Sequence, residues 1–280
     1  MASGADGADR SGTLAGEVTA RLVPAGTTPP VVDLNADLAE SFGAWRLGDD
    51  DALMALVTSA NLACGFHAGD PLTIRRACAT AVARGVAIGA QVSYRDLAGF
   101  GRREMTVPPD ELAAEVLYQL AAVDGIARAE GGRVNYVKPH GALYSRAARD
   151  PEQAAAIASA VSAFSPRLPI LTLPGSALET AATELMLPAV AEAFADRAYR
   201  DDGSLVPRSE PGAVLTDPQT VAARAVGMVL HGTVPTISGA ALEISPRSIC
   251  VHGDTPGTVA LASAIRAALE RAGATFARFT

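Results

Sequence analysis

A few short stretches of this chain gather the side chains able to move protons or hold charge. They are Asp33-Leu34-Asn35-Ala36-Asp37-Leu38-Ala39-Glu40, Cys64-Gly65-Phe66-His67-Ala68-Gly69-Asp70, Gln91, Lys138-Pro139-His140-Gly141, Glu192 and His252-Gly253-Asp254. An imidazole titrates near neutrality. His67, His140 and His252 therefore suit acid–base work or metal ligation, with Asp37 or Asp254 to orient them. The remaining histidine, His231, precedes Gly232 at an expected helix end, where an imidazole bonds the last carbonyls, and reads as structural. Lys138 is the sole lysine among 23 basic residues. A chain that uses arginine for every other positive charge keeps a compact ammonium here, which suits a place where oxyanion or phosphate charge develops. Arg102 and Arg103, after Gly99-Phe100-Gly101, could clasp a carboxylate or phosphate with paired N–H donors.

Blander readings compete at several positions. Asp70 and Asp254 stand just before expected helix starts and could act only as caps. Asp33, Asp37 and Glu40 could form a solvated turn, and the two arginines an exposed pair. Yet Asp33 and Asn35 share one face of a strand, and Asp37 joins them if the strand continues. Cys64 reads as a small buried residue. Neither a G-x-G-x-x-G nor a G-x-x-x-x-G-K-[ST] segment is present, so the usual dinucleotide and P-loop sites are excluded.

The elements that must carry these residues alternate. Apolar runs at Val31–Asn35, Ala60–Phe66, Val86–Ala90, Val134–Val137, Leu168–Leu173, Ala189–Phe194 and Ser248–Val251 suit parallel strands covered on both faces. Helices are expected near Asp50–Ser59, Pro71–Arg84, Pro109–Glu130, Pro151–Phe164, Ser176–Leu187, Pro218–Leu230 and Pro256–Ala272. Leu112, Val116, Leu120, Val123 and Ala127 form one stripe at three- and four-residue steps. Asp70-Pro71, Asp150-Pro151, Asp217-Pro218 and Thr255-Pro256 each set a capping side chain before a proline, a helix-start signature. About seven β/α repeats point to an α/β barrel, with an open doubly wound sheet as the competing arrangement. The polar stretches fall at strand ends, where such barrels build their sites.

Composition limits the partners. The 280 residues are 49% hydrophobic and carry a net charge of −7. That suffices for one large core and argues against nucleic acid, whose phosphates demand clustered cations. No apolar run is long enough to span a bilayer. Cys64, Cys78 and Cys250 cannot all pair and lack zinc-like spacing, which fits a reducing, cytoplasmic setting. Residues 1–30, rich in Gly, Ala, Ser and Thr, read as a disordered tail before a single domain over 31–280.

Several segments together resemble the LamB/YcsF family. They are Asp33-Leu34-Asn35, Glu40-Ser41-Phe42-Gly43, Ser59 to Pro71, Gly99-Phe100-Gly101-Arg102-Arg103, Val137 to Tyr144, Phe194-Ala195-Asp196-Arg197 and Cys250-Val251-His252-Gly253-Asp254. The likeness runs in one order from about Val31 to Ala272. It implies a distorted (β/α)7 barrel of the glycoside hydrolase/deacetylase type. It also implies a 5-oxoprolinase A subunit, which opens 5-oxoproline (pyroglutamate) to L-glutamate with ATP, presented with Mg2+, in complex with B and C subunits. On that expectation Asp37, His67, Lys138, His140, His252 and Asp254 do chemistry. Asp33, Asn35, Glu40, Asp70, Gln91, Arg102, Arg103 and Glu192 would hold the substrate. Two departures from the family pattern stand out: Ala36 and Ala39 replace its Cys and Gly, and Gln91 takes the place of a His. Gln91 can hydrogen-bond but cannot serve as a base. A different class is the alternative: a metal-dependent hydrolase or deacetylase on a small amide or carbohydrate, with Asp37, His67 and His140 or His252 as ligands. A non-catalytic scaffold is the third.

Overall fold

The computed structural model describes residues 29–280, so the tail expected over residues 1–30 lies, but for its last two prolines, outside the described residues. The strands are β1 (Val31–Leu38), β2 (Ser59–Ala63), β3 (Ala87–Val92), β4 (Val134–Pro139), β5 (Ile170–Thr172), β6 (Ala189–Phe194), β7 (Thr233–Pro235), β8 (Ala241–Glu243), β9 (Ser248–Val251) and β10 (Thr275–Phe276). The helices are α1 (Asp50–Met54), α2 (Pro71–Arg84), α3 (Pro109–Ala129), α4 (Gly141–Ala147), α5 (Pro151–Phe164), α6 (Ala177–Glu184), α7 (Pro218–Val226) and α8 (Thr258–Arg271). Strands β1 to β6 and β9 pair side by side, all parallel, and β9 returns to β1. This is a closed seven-stranded barrel wrapped by helices, and the open-sheet arrangement is excluded. Every strand expected from the apolar runs is a barrel strand. Three features carried no such run: α4 directly after His140, the antiparallel β7–β8 hairpin outside the barrel, and β10, which extends the start of β1.

Outward-facing Leu34, Ala36, Leu38, Ala60, Leu62, Ile88, Ala90 and Val137 pack against the helices in one apolar layer. The α3 stripe of Leu112, Val116, Leu120, Val123 and Ala127 is fully buried in it. Inside, the barrel is apolar at its lower end, where Ala87, Tyr136, Leu171 and Val190 meet, backed by Phe279. Gly89 makes this possible: a Cβ there would stand 2.2 Å from the Tyr136 ring, which crosses the lumen to donate from its hydroxyl to Asn61 at 2.6 Å.

Three of the expected caps form. Asp70, Asp150 and Asp217 each accept backbone N–H bonds at the starts of α2, α5 and α7. The Thr255-Pro256 start does not. Helix α8 begins at Thr258 behind Gly257, whose φ is +80°, and the Thr258 hydroxyl bonds back to the carbonyls of His252 and Thr255. His231 ends a π-helical turn after α7, before Gly232.

Candidate functional site

The lumen carries charge in layers from bottom to top. At the bottom the Asp33 carboxylate accepts from Thr58 and Ser59, each at 2.6 Å, and from Ser248. Burial pushes its pKa up to about 6 despite those bonds. One layer higher, Asn35 donates to Glu192 at 3.0 Å and to Ser248 at 2.7 Å, and accepts from Asn61 at 2.6 Å. Above them lies Lys138. Its ammonium is 2.9 Å from Glu192, 3.2 Å from Asp37 and 2.8 Å from the Cys250 sulfur, with the Phe194 ring 5.2 Å away. Burial would lower the Lys138 pKa, yet Asp37 and Glu192 outweigh it and hold the ammonium well above its ordinary value. Burial raises Asp37, but Lys138 and His252 more than offset that and leave it below the usual carboxylate range. Burial keeps Glu192 above its ordinary value.

A cavity of about 390 Å³ opens over this layer, with Asp37, Lys138, His140 and His252 on its wall. Arg102, Arg149, Arg197 and Arg208 line it too, with Tyr144 and Phe194. The His252 Nδ1 lies 2.8 Å from the Asp196 carboxylate. An ionised carboxylate only accepts, so Nδ1 carries the proton and Nε2 is the basic nitrogen. Burial alone would raise Asp196, but His252 draws it below its ordinary value.

Beside the cavity the rings of His67 and His140 stack, centroids 4.1 Å apart and 17° from parallel. Glu40 Oε1 stands 3.8 Å from His140 Nε2. Burial drives His67 down to about 4 and His140 well below its ordinary value, so both imidazoles are neutral. Burial, with the charges of Asp37 and Asp254, raises Glu40 well above its own. The loop after β3 closes over the rings through Gly101 at φ +66°. A Cβ at that position would stand 2.4 Å from the Ser93 hydroxyl and 2.9 Å from His140 Nδ1.

Residues 32–280 match the model of the LamB/YcsF family. The chain belongs to that family. Among its relatives is the 5-oxoprolinase A subunit of Streptomyces avermitilis, 57% identical over 249 residues, covering 89% of this chain and 100% of that one. The protein of the same name from Streptomyces griseus is 59% identical over 243 residues, 87% of this chain and 97% of its own. A crystal structure of a lactam utilization protein from Thermus thermophilus superposes with a TM-score of 0.84 at 49% identity, covering 89% of this chain and 99% of that one. The catalytic domain of a peptidoglycan N-acetylglucosamine deacetylase from Eubacterium rectale, 12% identical with a TM-score of 0.50, shares the fold.

In this LamB/YcsF barrel the residues expected to act are not all in one place. Asp37, Lys138, His140, His252 and Arg102 reach the cavity, and Glu40, His67 and Gln91 adjoin it. Asp254 binds Arg102 at 2.7 Å on the rim. Asp33, Asn35 and Glu192 lie below Lys138 and support it rather than face the cavity. Asp70 caps α2 and also accepts from the Gly43 amide at 2.8 Å. Arg103 turns away to Asp96. Asp196, Cys250, Tyr144, Arg149, Arg197 and Arg208 were not among the expected site residues. Asp196 had a signal, an acid two residues past a strand end. Arg197 stood in the Phe194-Ala195-Asp196-Arg197 segment of the family resemblance, whereas Arg149 and Arg208 had no signal.

Proposed function

We propose that this chain is the A subunit of an ATP-dependent 5-oxoprolinase, opening 5-oxoproline to L-glutamate together with B and C subunits in the cytoplasm. The observation that carries the reading is the buried Lys138 ammonium at the floor of the cavity, beside an oriented His252–Asp196 pair. Membership of the family and relatives named as 5-oxoprolinase A subunits support it, and three buried free cysteines agree with a reducing compartment. The cavity suits a small lactam, and its arginine wall suits phosphates, which guanidinium groups bind in pairs of hydrogen bonds. ATP, when bound, supplies the phosphoryl group that makes an unactivated lactam carbonyl electrophilic.

The chain's own groups do the rest. Lys138, fixed between two carboxylates, faces the position where oxyanion charge grows, and a preorganised cation in a dry site lowers that barrier. His252 takes the proton from the attacking water at Nε2, and Asp196 stabilises the imidazolium that results. Arg102, Arg197 and Arg208 balance the substrate carboxylate and any phosphate oxygens.

Glutamate release from 5-oxoproline, measured with and without ATP and the B and C subunits, tests this. Product is expected only in the full mixture, and Lys138→Ala should cut turnover by roughly 100- to 1,000-fold. The second reading is a metal-dependent hydrolase acting without ATP, favoured by the buried imidazole nitrogens left without partners. An assembled, folded complex that releases no glutamate would point there.

A further inference from the structure

We infer that Glu40, His67 and His140 form a site for a transition-metal dication of the zinc class, distinct from the Lys138 layer. Among the described residues two trios bring ligand atoms within 4.8 Å of one another: these three, and Asp37 with Cys250 and His252. The second trio is already filled. The Lys138 ammonium sits against both Asp37 and Cys250, so a cation would meet a fixed positive charge. His252, with Nδ1 held by Asp196, is left with Nε2 alone, which cannot offset that charge.

The first trio is empty-handed. Glu40 Oε1, both nitrogens of His67 and Nδ1 of His140 are buried with no hydrogen-bond partner. Buried polar atoms are seldom left so, and a partnerless Glu40 oxygen beside two imidazoles with unpaired nitrogens marks a missing ligand. Two imidazoles and one carboxylate are the donor set that zinc takes in open, reactive sites. Ligands at ~2.1 Å around a tetrahedral ion stand about 3.4 Å apart, so drawing these donors in by roughly 1 Å fills three positions and leaves the fourth to water. Arg102, the guanidinium that bears on these imidazoles, is neutralised by Asp254. Gln91, whose amide is also without partners, bears on His67 and can take its second nitrogen, the outer-shell contact that ligating imidazoles use. The inference stands whether or not the reaction is 5-oxoproline opening.

The full chain, loaded with Zn2+ and dialysed against metal-free buffer, should retain roughly one ion, read by elemental analysis. With Co2+ it should show visible d–d bands and no near-ultraviolet thiolate charge-transfer band. His67→Ala and Glu40→Gln, checked for fold by circular dichroism, should bind at least ~100-fold more weakly. An unretained ion overturns the proposal, as does affinity unchanged in both variants. A thiolate band overturns it too, by placing the ion at Cys250; that spectrum needs no variant.

Discussion

Ala39 follows β1 with a φ of +60°, a left-handed conformation that an L side chain with a Cβ resists. Its amide donates to Asp50 at 3.1 Å, and its carbonyl lies where a Cβ on Gly69 would touch it at 2.7 Å, so neighbours hold the turn in place. The LamB/YcsF pattern carries glycine here, and the backbone gives the reason. Ala39→Gly should therefore stabilise the chain by about 0.5–1 kcal/mol, the relieved strain exceeding the flexibility added to the unfolded state. Urea unfolding measures it; a loss of stability would mean that the turn fits alanine. Gln91 is the other departure, and it is fully buried where it bears on His67. An amide can orient that imidazole without competing with it for a proton.

At the scale of elements, α2 shows how a local sequence rule serves the site. Asp70 accepts from the amides of Leu72 and Thr73, each at 2.9 Å, and from Gly43, tying the loop after β1 to the helix start. These N–H bonds, led by that from Thr73, bring its pKa down to about 2. Asp70→Ala should cost about 1–2 kcal/mol at pH 7. The folded value lies below the unfolded one. The carboxylate's contribution is thus full above about pH 4 and fades as pH falls toward 2, so the variant and the parent should converge there. Unfolding midpoints at pH 7, 4 and 2.5 check this; a constant gap would rule out the charge as its source.

Strand positions and most helix starts were legible because parallel strands need continuous apolar runs and Asp-Pro starts are local. The start of α8 was not, because Gly257 and the Thr258 hydroxyl replace the expected cap. Helix α4 was hidden behind Lys138-Pro139-His140, which reads as a strand end. Within the site, the sequence marked the polar residues but not their levels. Alternation places Asp33, Asn35 and Asp37 on one face, yet only the closed lumen shows that Asp33 lies at the bottom and Asp37 at the top. Pairings between distant strands, such as Lys138 with Cys250 and His252 with Asp196, leave no trace in spacing.

Across the whole molecule, the barrel is held from inside by polar contacts between strands far apart in the chain. Lys138 on β4 bridges Asp37 on β1 and Glu192 on β6, all three almost wholly buried. Burying charges costs more than surface pairing returns, so such a bridge is kept only while every member has a partner. Lys138→Met leaves two carboxylates in the lumen and should destabilise by about 3–5 kcal/mol. Glu192→Gln removes one of them and keeps an acceptor for Asn35, so alone it should cost less. Combined, the two changes leave a single unpaired carboxylate. The double variant should therefore be more stable than the sum of the single effects by about 1–3 kcal/mol. Chemical unfolding of the four proteins gives that coupling directly. Strict additivity would mean that Lys138 and Glu192 do not sense each other, and that the ammonium is fixed by Asp37 alone. In that case the charge under the cavity would rest on the β1–β4 contact, and Glu192→Gln would leave its position unchanged.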